Sequence, residues 1–328
     1  MRAQKGVALL SMLLVLAIVT TVTSNMLYNN RLEIQRNQVR NLNAQAQEYA
    51  LSGITWAKIL IQKTTHPQAK IIEVFQPEEG SLRITLNDEM AKFNLNNLRD
   101  ASGNIDSAQL QIFQRLLLSL QIDPVLAINL GDWLDADVSS AGYNSEDLGY
   151  ENMPAYYAKG YRTANRVMAH STELILVKGF SIELHEVLEP YVTALPNKTA
   201  ININTASAEL LEVLIPGIDG TRMVAQRERK NGSPFLDVDS FLQHQLSAGL
   251  EITPDLLTTT SQFYRVTTQA SYRQQLSNWQ ALLFKARNPA SAKQSGWYIQ
   301  RKWQHHQPFW VSEVSANDTP LEAINKAL

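Results

Sequence analysis

The densest group of potential ligands in this 328-residue chain lies between Asp135 and Glu151. The run reads Asp135-Ala-Asp137-Val-Ser139-Ser-Ala-Gly142-Tyr-Asn144-Ser-Glu146-Asp147. With Asp135 as position one, Asp137 is three, Ser139 five and Glu146 twelve, the spacing of oxygen donors in an EF-hand loop. Position six of such a loop needs a glycine for its sharp turn. Here it is Ser140, and Gly142 comes two residues late, so the segment is not an EF-hand. The donors are all oxygens and the chain has no cysteine, which points to a hard cation, Ca²⁺ rather than zinc. Asp135, Asp137, Glu146, Asp147 and Glu151 are the candidate ligands, with Asn144 weaker. Asp132 reads as readily as a cap or ion-pair partner within its own helix. A loop this long needs something to hold it, and a bound ion would do so. The alternative is a solvated acidic loop.

A second segment with chemical potential runs from Ile201 to Gly232 and is similar to a helix-hairpin-helix motif. Thr205 reads as the cap of its first helix and Pro216-Gly217-Ile218 as the hairpin. In DNA-binding versions the hairpin amides and the next helix N-terminus hold a backbone phosphate. Arg222, Arg227, Arg229 and Lys230 would add positive charge. Asp219 would face that phosphate with the wrong sign, and Glu209, Glu212, Glu228, Asp237 and Asp239 surround the basic residues. A non-specific DNA binder needs several phosphate contacts. The hairpin is therefore expected to be a packing unit used for protein contacts, with no nucleic acid as partner. A membrane-anchored DNA-binding or DNA-uptake protein is the alternative function.

The remaining reactive residues form no recognisable constellation. His66, His170, His185 and His244 are scattered, His305-His306 lies near the end, and no Ser-His-Asp order with a nucleophile turn occurs. The six tryptophans read as packing. The chain is not expected to be an enzyme. Its net charge of −2 argues against binding nucleic acid over the whole surface. Hydrophobic content of 45% and charged content of 18% describe a globular protein.

The elements that would position these segments begin with the first thirty residues. A short basic leader, Met1-Arg-Ala-Gln-Lys-Gly6, precedes an apolar run from Val7, and no charge recurs until Arg31. About 24 uncharged residues are enough for a helix to cross a bilayer core. A secretory signal would carry a small-residue cleavage site after the run, and none follows. The glycine before the run is where a type IV prepilin peptidase would cut; an ordinary single-pass anchor is the alternative. Arg2 and Lys5 favour a cytoplasmic N-terminus and place the larger part outside the cytoplasm. Helical spacing continues through Leu32, Val39, Leu42, Ala46, Tyr49 and Ala50, which predicts one long helix. Strands are expected at Lys70–Phe75 and Gly80–Leu86, a turn at Asn87–Glu89, and a returning hairpin strand at Met90–Leu95. Helices follow from Leu110, from Asp123-Pro124, at 171–178 and 181–190, at 205–215 and 220–230, and at 237–245. Strands return at 262–271, 279–287 and 297–303. Strands on either side of a helical block suggest one α/β unit with a helical domain inserted.

The chain resembles the protein K family of type II secretion, large minor pseudopilins related to type IV pilins. The resemblance is carried by Gly6, Phe93-Asn-Leu-Asn-Asn-Leu98, Asp132-Trp-Leu-Asp-Ala-Asp137, Tyr161-Arg-Thr-Ala-Asn165, Ser171-Thr-Glu-Leu174, Val177-Lys-Gly179, Pro190-Tyr-Val-Thr-Ala-Leu195 and Ile201-Asn-Ile-Asn-Thr-Ala206. It implies an α+β, pilin-like fold: a long N-terminal helix on an antiparallel sheet, with a large inserted all-α domain containing helix-hairpin-helix or SAM-like units. The expected divisions are a leader at 1–6, a membrane and fibre-assembly helix at 7–29, pilin-like parts at 30–98 and 251–312, the insertion at 99–250 and a tail at 313–328. The resemblance further implies cleavage between Gly6 and Val7, N-methylation of Val7, and Ca²⁺ in the acidic region. It implies a bacterial inner-membrane protein that moves into a periplasmic fibre. There it would sit at the tip with the minor pseudopilins I, J and H, above the major pseudopilin, and would start fibre assembly. Most pilins carry Glu as the fifth mature residue; here that position is Ser11. A carboxylate in the bilayer is costly unless it is paired, and a first subunit has no predecessor to pair with.

Overall fold

The computed structural model describes residues 3–63, 70–76, 79–136, 161–228, 235–287 and 295–305. It opens with one unbroken helix, α1 (Ala3–Lys63), of 61 residues, which spans about 90 Å. No proline interrupts it. Gly53, the residue most able to stop it, lies where the helix meets a sheet. A Cβ there would stand 2.9 Å from Thr268 Cγ2 and 3.1 Å from Leu82 Cδ1. One stripe of α1 is buried: Ala46, Ala50, Ile54, Ala57 and Ile61, spaced by three and four residues along a single helix face.

The sheet has five antiparallel strands in the order β1 (Lys70–Phe75), β2 (Gly80–Asp88), β7 (Phe263–Tyr272), β8 (Gln275–Arg287) and β9 (Ser295–His305). The strand before the helical segment pairs with the strand after it, Ile84 opposite Thr268 and Leu86 opposite Val266. Alternation sends Ile84, Leu86, Tyr264, Val266 and Leu283 to one face, where they close over the α1 stripe. On the opposite face, Phe263 and Leu282 join Met90 and Leu195 in a smaller cluster, with Phe284 and Trp303 packed against it. Each side of the sheet thus packs against a different part of the chain.

Between β2 and β7 lies the helical unit. Its elements are β3 (Phe93–Asn94), α2 (Ser107–Ser119), α3 (Leu126–Leu134), α4 (Ile182–Leu188), β4 (Val192–Thr193), β5 (Ile201–Asn202), α5 (Ala208–Leu214), α6 (Gly220–Glu228), α7 (Val238–Leu242) and β6 (Leu257–Thr258). Its core is continuous, built from Phe93, Leu98, Phe113, Leu117, Leu130, Trp133, Leu188, Leu211 and Phe241 among others. The long helix, the sheet and the α+β class agree with the sequence reading.

Three local expectations are corrected. Asn87–Glu89 is not a hairpin turn: β2 runs on through Asp88 and a 3₁₀ turn follows at Glu89–Ala91. Met90–Leu95 is not a returning strand. Only Phe93 and Asn94 pair, in parallel with Val192 and Thr193. The inserted unit is not purely helical, since Ile201 and Asn202 pair in parallel with Leu257 and Thr258. The physical reason is common to all three. Asp88 pairs with Tyr264, Phe93 with Val192 and Ile201 with Leu257, all far apart in sequence, so no local turn signal announces them.

The direction of the sheet fixes where the helical unit hangs. Tyr49 of α1 meets Tyr272 edge-on at 5.5 Å, and four residues later Gly53 faces Thr268. Strand β7 therefore runs back along α1, with Tyr272 nearer the apolar N-terminal half and Phe263 farther from it. The helical unit joins at Asp88, opposite Tyr264, which is the end of the sheet remote from that half.

Candidate functional site: the apolar helix and the junction of the two units

Among the described residues, nothing packs on the first half of α1. Among the described residues it is the one helix long and apolar enough to cross a membrane, and its most apolar 18-residue window has a mean hydropathy of 2.3. Leu10, Leu13, Leu16, Val19 and Val22 are all exposed. The hydroxyls of Ser11, Thr20 and Thr21 are satisfied by their own helix. Ser11 Oγ donates to the Ala8 carbonyl at 2.9 Å, and Thr21 Oγ1 donates to that of Ala17 at 2.7 Å. Such i to i−3 and i−4 bonds let a hydroxyl sit in hydrocarbon without an external partner. Gly6 and Val7 lie within the helix.

Of the five candidate calcium ligands, Asp137, Glu146, Asp147 and Glu151 lie outside the described residues. Asp135 is described. It is buried and forms the C-cap of α3, where its amide donates to the Gly131 carbonyl. Asp132, one turn earlier, is buried as well. At this end of α3 the Arg99 guanidinium donates to the Leu134 carbonyl at 2.7 Å. Among the described residues, no group of three or more His, Asp or Glu is arranged to hold a metal.

The hairpin segment forms its two helices, α5 and α6, joined through Gly217, whose φ of +90° needs glycine. Thr205 is not the cap of α5. Ser207 is, accepting from the Leu210 amide, and Thr205 Oγ1 donates instead to Asp88 at 2.6 Å. Arg229 and Lys230 lie outside the described residues, and the described groups that would meet a phosphate are engaged within the chain. The Gly220 amide donates to Glu212 Oε1 at 3.1 Å, and the Arg222 amide donates to Asp219 Oδ1 at 2.8 Å. The Arg222 side chain pairs with Asp219, while that of Arg227 donates to the carbonyls of Ile203 and Ala206.

The junction of the two units is what sequence reasoning missed. Asp88 and Glu89 are consecutive and 2% and 0% exposed. Asp88 Oδ2 accepts from Thr205 Oγ1, from Ser261 Oγ at 2.6 Å and from Asn202 Nδ2 at 3.0 Å, and Oδ1 accepts from the Met90 amide. The outgoing strand, the returning strand and the hairpin segment thus meet on one carboxylate. Burial pushes the Asp88 carboxyl above its ordinary range, against the pull of these donors. Glu89 turns the other way and receives Arg265 of β7 in a bidentate pair, with Thr193 Oγ1 at 2.5 Å. Burial raises this carboxyl, and the charges of Arg265 and Lys92 with the hydrogen bonds outweigh it, so it sits below the usual range. His170 Nε2 lies 3.2 Å from Arg265, and its ring stands edge-on to Trp303. Burial and the adjacent Arg265 push His170 down to about 4.

Three asparagines extend the joint. Asn94 Oδ1 accepts from the Asn96 and Leu195 amides. Asn96 donates to the carbonyls of Met168 and Leu195 and accepts from the Met168 amide. Asn97 both donates to and accepts from Thr199. One signal for the junction was present in the sequence: strict alternation from Leu82 through Ile84 and Leu86 puts Asp88 on the buried face.

Comparison with known proteins draws on the segments just described. The family model for type II secretion system protein K matches at residues 91–197, and a second model with the same description matches at residues 201–260. Type II secretion system protein K of Pseudomonas aeruginosa is 31% identical over 272 residues, which is 76% of this chain and 79% of that one. The chain belongs to the type II secretion system protein K family. The family member of Aeromonas hydrophila is 31% identical over 70% of this chain and 78% of its own. The fold is like that of a chain in the crystal structure of the GspK-GspI-GspJ complex from the enterotoxigenic Escherichia coli type 2 secretion system. The TM-score is 0.64 at 22% identity, with 85% of this chain and all of that one covered. These relatives are named as components of a secretion system, not as enzymes. Asn94, Asn96 and Asn97 with their partners Met168 and Leu195 fall inside the first match, and Asn202 and Thr205 fall inside the second, while Asp88 and Thr199 lie outside both.

Proposed function

We propose that this member of the protein K family is the minor pseudopilin at the tip of the type II secretion pseudopilus, and that it starts assembly of the fibre. The observation that carries the reading is the position of the helical unit, at the end of the sheet remote from the apolar half of α1. In a fibre built by packing such helices side by side, a body of this size above the sheet occupies the space of the next subunit. That suits a subunit with nothing above it. Ser11 supports the same reading, because its hydroxyl is satisfied by Ala8 and asks nothing of a preceding subunit.

The chain is held meanwhile in the inner membrane by α1, with its N-terminus in the cytoplasm and its folded units in the periplasm. Prepilin peptidase cuts between Gly6 and Val7, and Val7 is then N-methylated. The partners are the minor pseudopilins I, J and H and, below them, the major pseudopilin; the GspK-GspI-GspJ complex supports the first two. A structural Ca²⁺ is held by Asp135, Asp137, Glu146, Asp147 and Glu151. Equal melting temperatures in calcium and in chelator would remove the ion from this account. The rival function as a DNA-binding protein is disfavoured because the Gly220 and Arg222 amides and the Arg222 and Arg227 side chains are already engaged.

The test is Ser11→Glu in cells carrying the complete system. A carboxylate there, unpaired in the bilayer, costs a few kcal/mol. Secretion is expected to fall sharply while the protein remains membrane-bound. Unchanged secretion would contradict the role as first subunit.

A further inference from the structure

We propose that Arg31 and Arg36 bind the phosphates of anionic phospholipids in the leaflet facing the folded units, while the chain waits as an anchor. This rests on the membrane-anchor reading above. Helix α1 is continuous across the stretch, and Arg31 is its first charge after Lys5. From Val7 to Asn30 the helix covers about 36 Å, against about 30 Å for a hydrocarbon core. Arg31 therefore falls at the phosphate level. Helix side chains lean toward the N-terminus, which here is toward the membrane. Arg36, about 7.5 Å farther along, reaches back to the phosphates on its long stem, whereas Arg40, about 13.5 Å beyond Arg31, does not.

The surroundings leave these arginines to solvent or lipid. Arg31, Arg36 and Arg40 are exposed, and among the described residues none is in an ion pair. Glu33 is the one carboxylate between Arg31 and Gln47, and the stripe that packs on the sheet begins only at Ala46. Orientation does not account for them. Basic residues favour the cytoplasmic side, yet this side carries three arginines against Arg2 and Lys5 on the other. A guanidinium fork matches a phosphate with two parallel hydrogen bonds.

The full-length protein is reconstituted in nanodiscs of equal phosphatidylglycerol and phosphatidylethanolamine, and the lipid retained on release is counted by native mass spectrometry. The expected result is a preference for phosphatidylglycerol of about fivefold or more. It should be lost in Arg31→Gln/Arg36→Gln and unchanged in Arg40→Gln. Equal retention in the unmodified protein, or the same loss with Arg40→Gln, would overturn the proposal. So would competition by inorganic phosphate at low millimolar concentration, which would reassign the site to any phosphate. Loss of co-purification with another minor pseudopilin in Arg31→Gln, with lipid retention at parity throughout, would make the stripe a protein contact. A chain that fails to enter the nanodisc at all would instead overturn the anchor reading.

Discussion

Glu89 and Arg265 lie 176 residues apart in sequence and face one another across the junction of the two units, Arg265 Nη2 2.7 Å from Glu89 Oε2 and Nε 3.0 Å from Oε1. One belongs to the turn that leaves the sheet and the other to the strand that returns to it. Both side chains are largely buried and Arg265 lies over the Trp303 ring at 6.0 Å, so removing either one alone leaves a buried charge. The pair makes the attachment of the helical unit a fixed joint.

Arg265→Met is accordingly expected to cost about 3–5 kcal/mol, because Glu89 stays buried without its partner. The double substitution Arg265→Met/Glu89→Leu removes both charges and should recover much of that loss. Urea unfolding of the full-length protein in detergent measures both. A double variant as unstable as the single one would mean that packing, not the unpaired charge, sets the cost.

Asp88 calls for a different pair of substitutions. Asp88→Asn keeps an oxygen where Thr205, Ser261 and Asn202 donate and removes a charge that burial disfavours. Its amide nitrogen then replaces the Oδ1 that accepts from the Met90 amide, so a cost of about 1–3 kcal/mol is expected at pH 7. Asp88→Leu takes the acceptor away from all four donors, the three just named and the Met90 amide, each costing about 1–3 kcal/mol. Thermal melting should separate the two by 3 kcal/mol or more, taking the lower figure for each donor.

The helix and the sheet strands were legible in the sequence because each is a local pattern, whereas of the buried stripe the spacing named only Ala46 and Ala50 and also took in Val39, which is exposed. Apolar spacing of three and four gave α1, and alternation gave β2, β7 and β8. The leader glycine at position 6 and Ser11 could be found by counting. The junction was not legible in the same way. Asp88 and Glu89 look like turn residues because adjacent charges usually end a strand, and the partners that bury them are 114 and 176 residues away. Asn94, Asn96 and Asn97 stood out as a motif, but nothing local says that their amides replace backbone pairing between distant segments. Thr205 was misread as a cap because Ser207, two residues on, offers the same hydroxyl.

Acid should loosen this joint in a defined window. The folded-state value of His170, about 4, lies below its ordinary value of 6.5. As pH falls below about 6.5 the unfolded chain takes up a proton that the folded chain refuses, so stability is full above 6.5 and declines toward pH 4. His185, also lowered by burial, acts in the same direction. Discounted for partial exposure, the His170 contribution is roughly 1–2 kcal/mol. In His170→Gln the fall in melting temperature between pH 7 and pH 4.5 should be visibly shallower. An unchanged slope would show that His170 titrates normally in the fold.

The central claim concerns where the chain sits in the fibre, and one observation reaches it directly. The sequence contains no cysteine, so Gln111→Cys, exposed on α2, carries a single gold label. On pseudopili overproduced with the labelled chain and viewed by electron microscopy, the account predicts one particle at one end of each fibre. Particles spaced along the fibre length would contradict it.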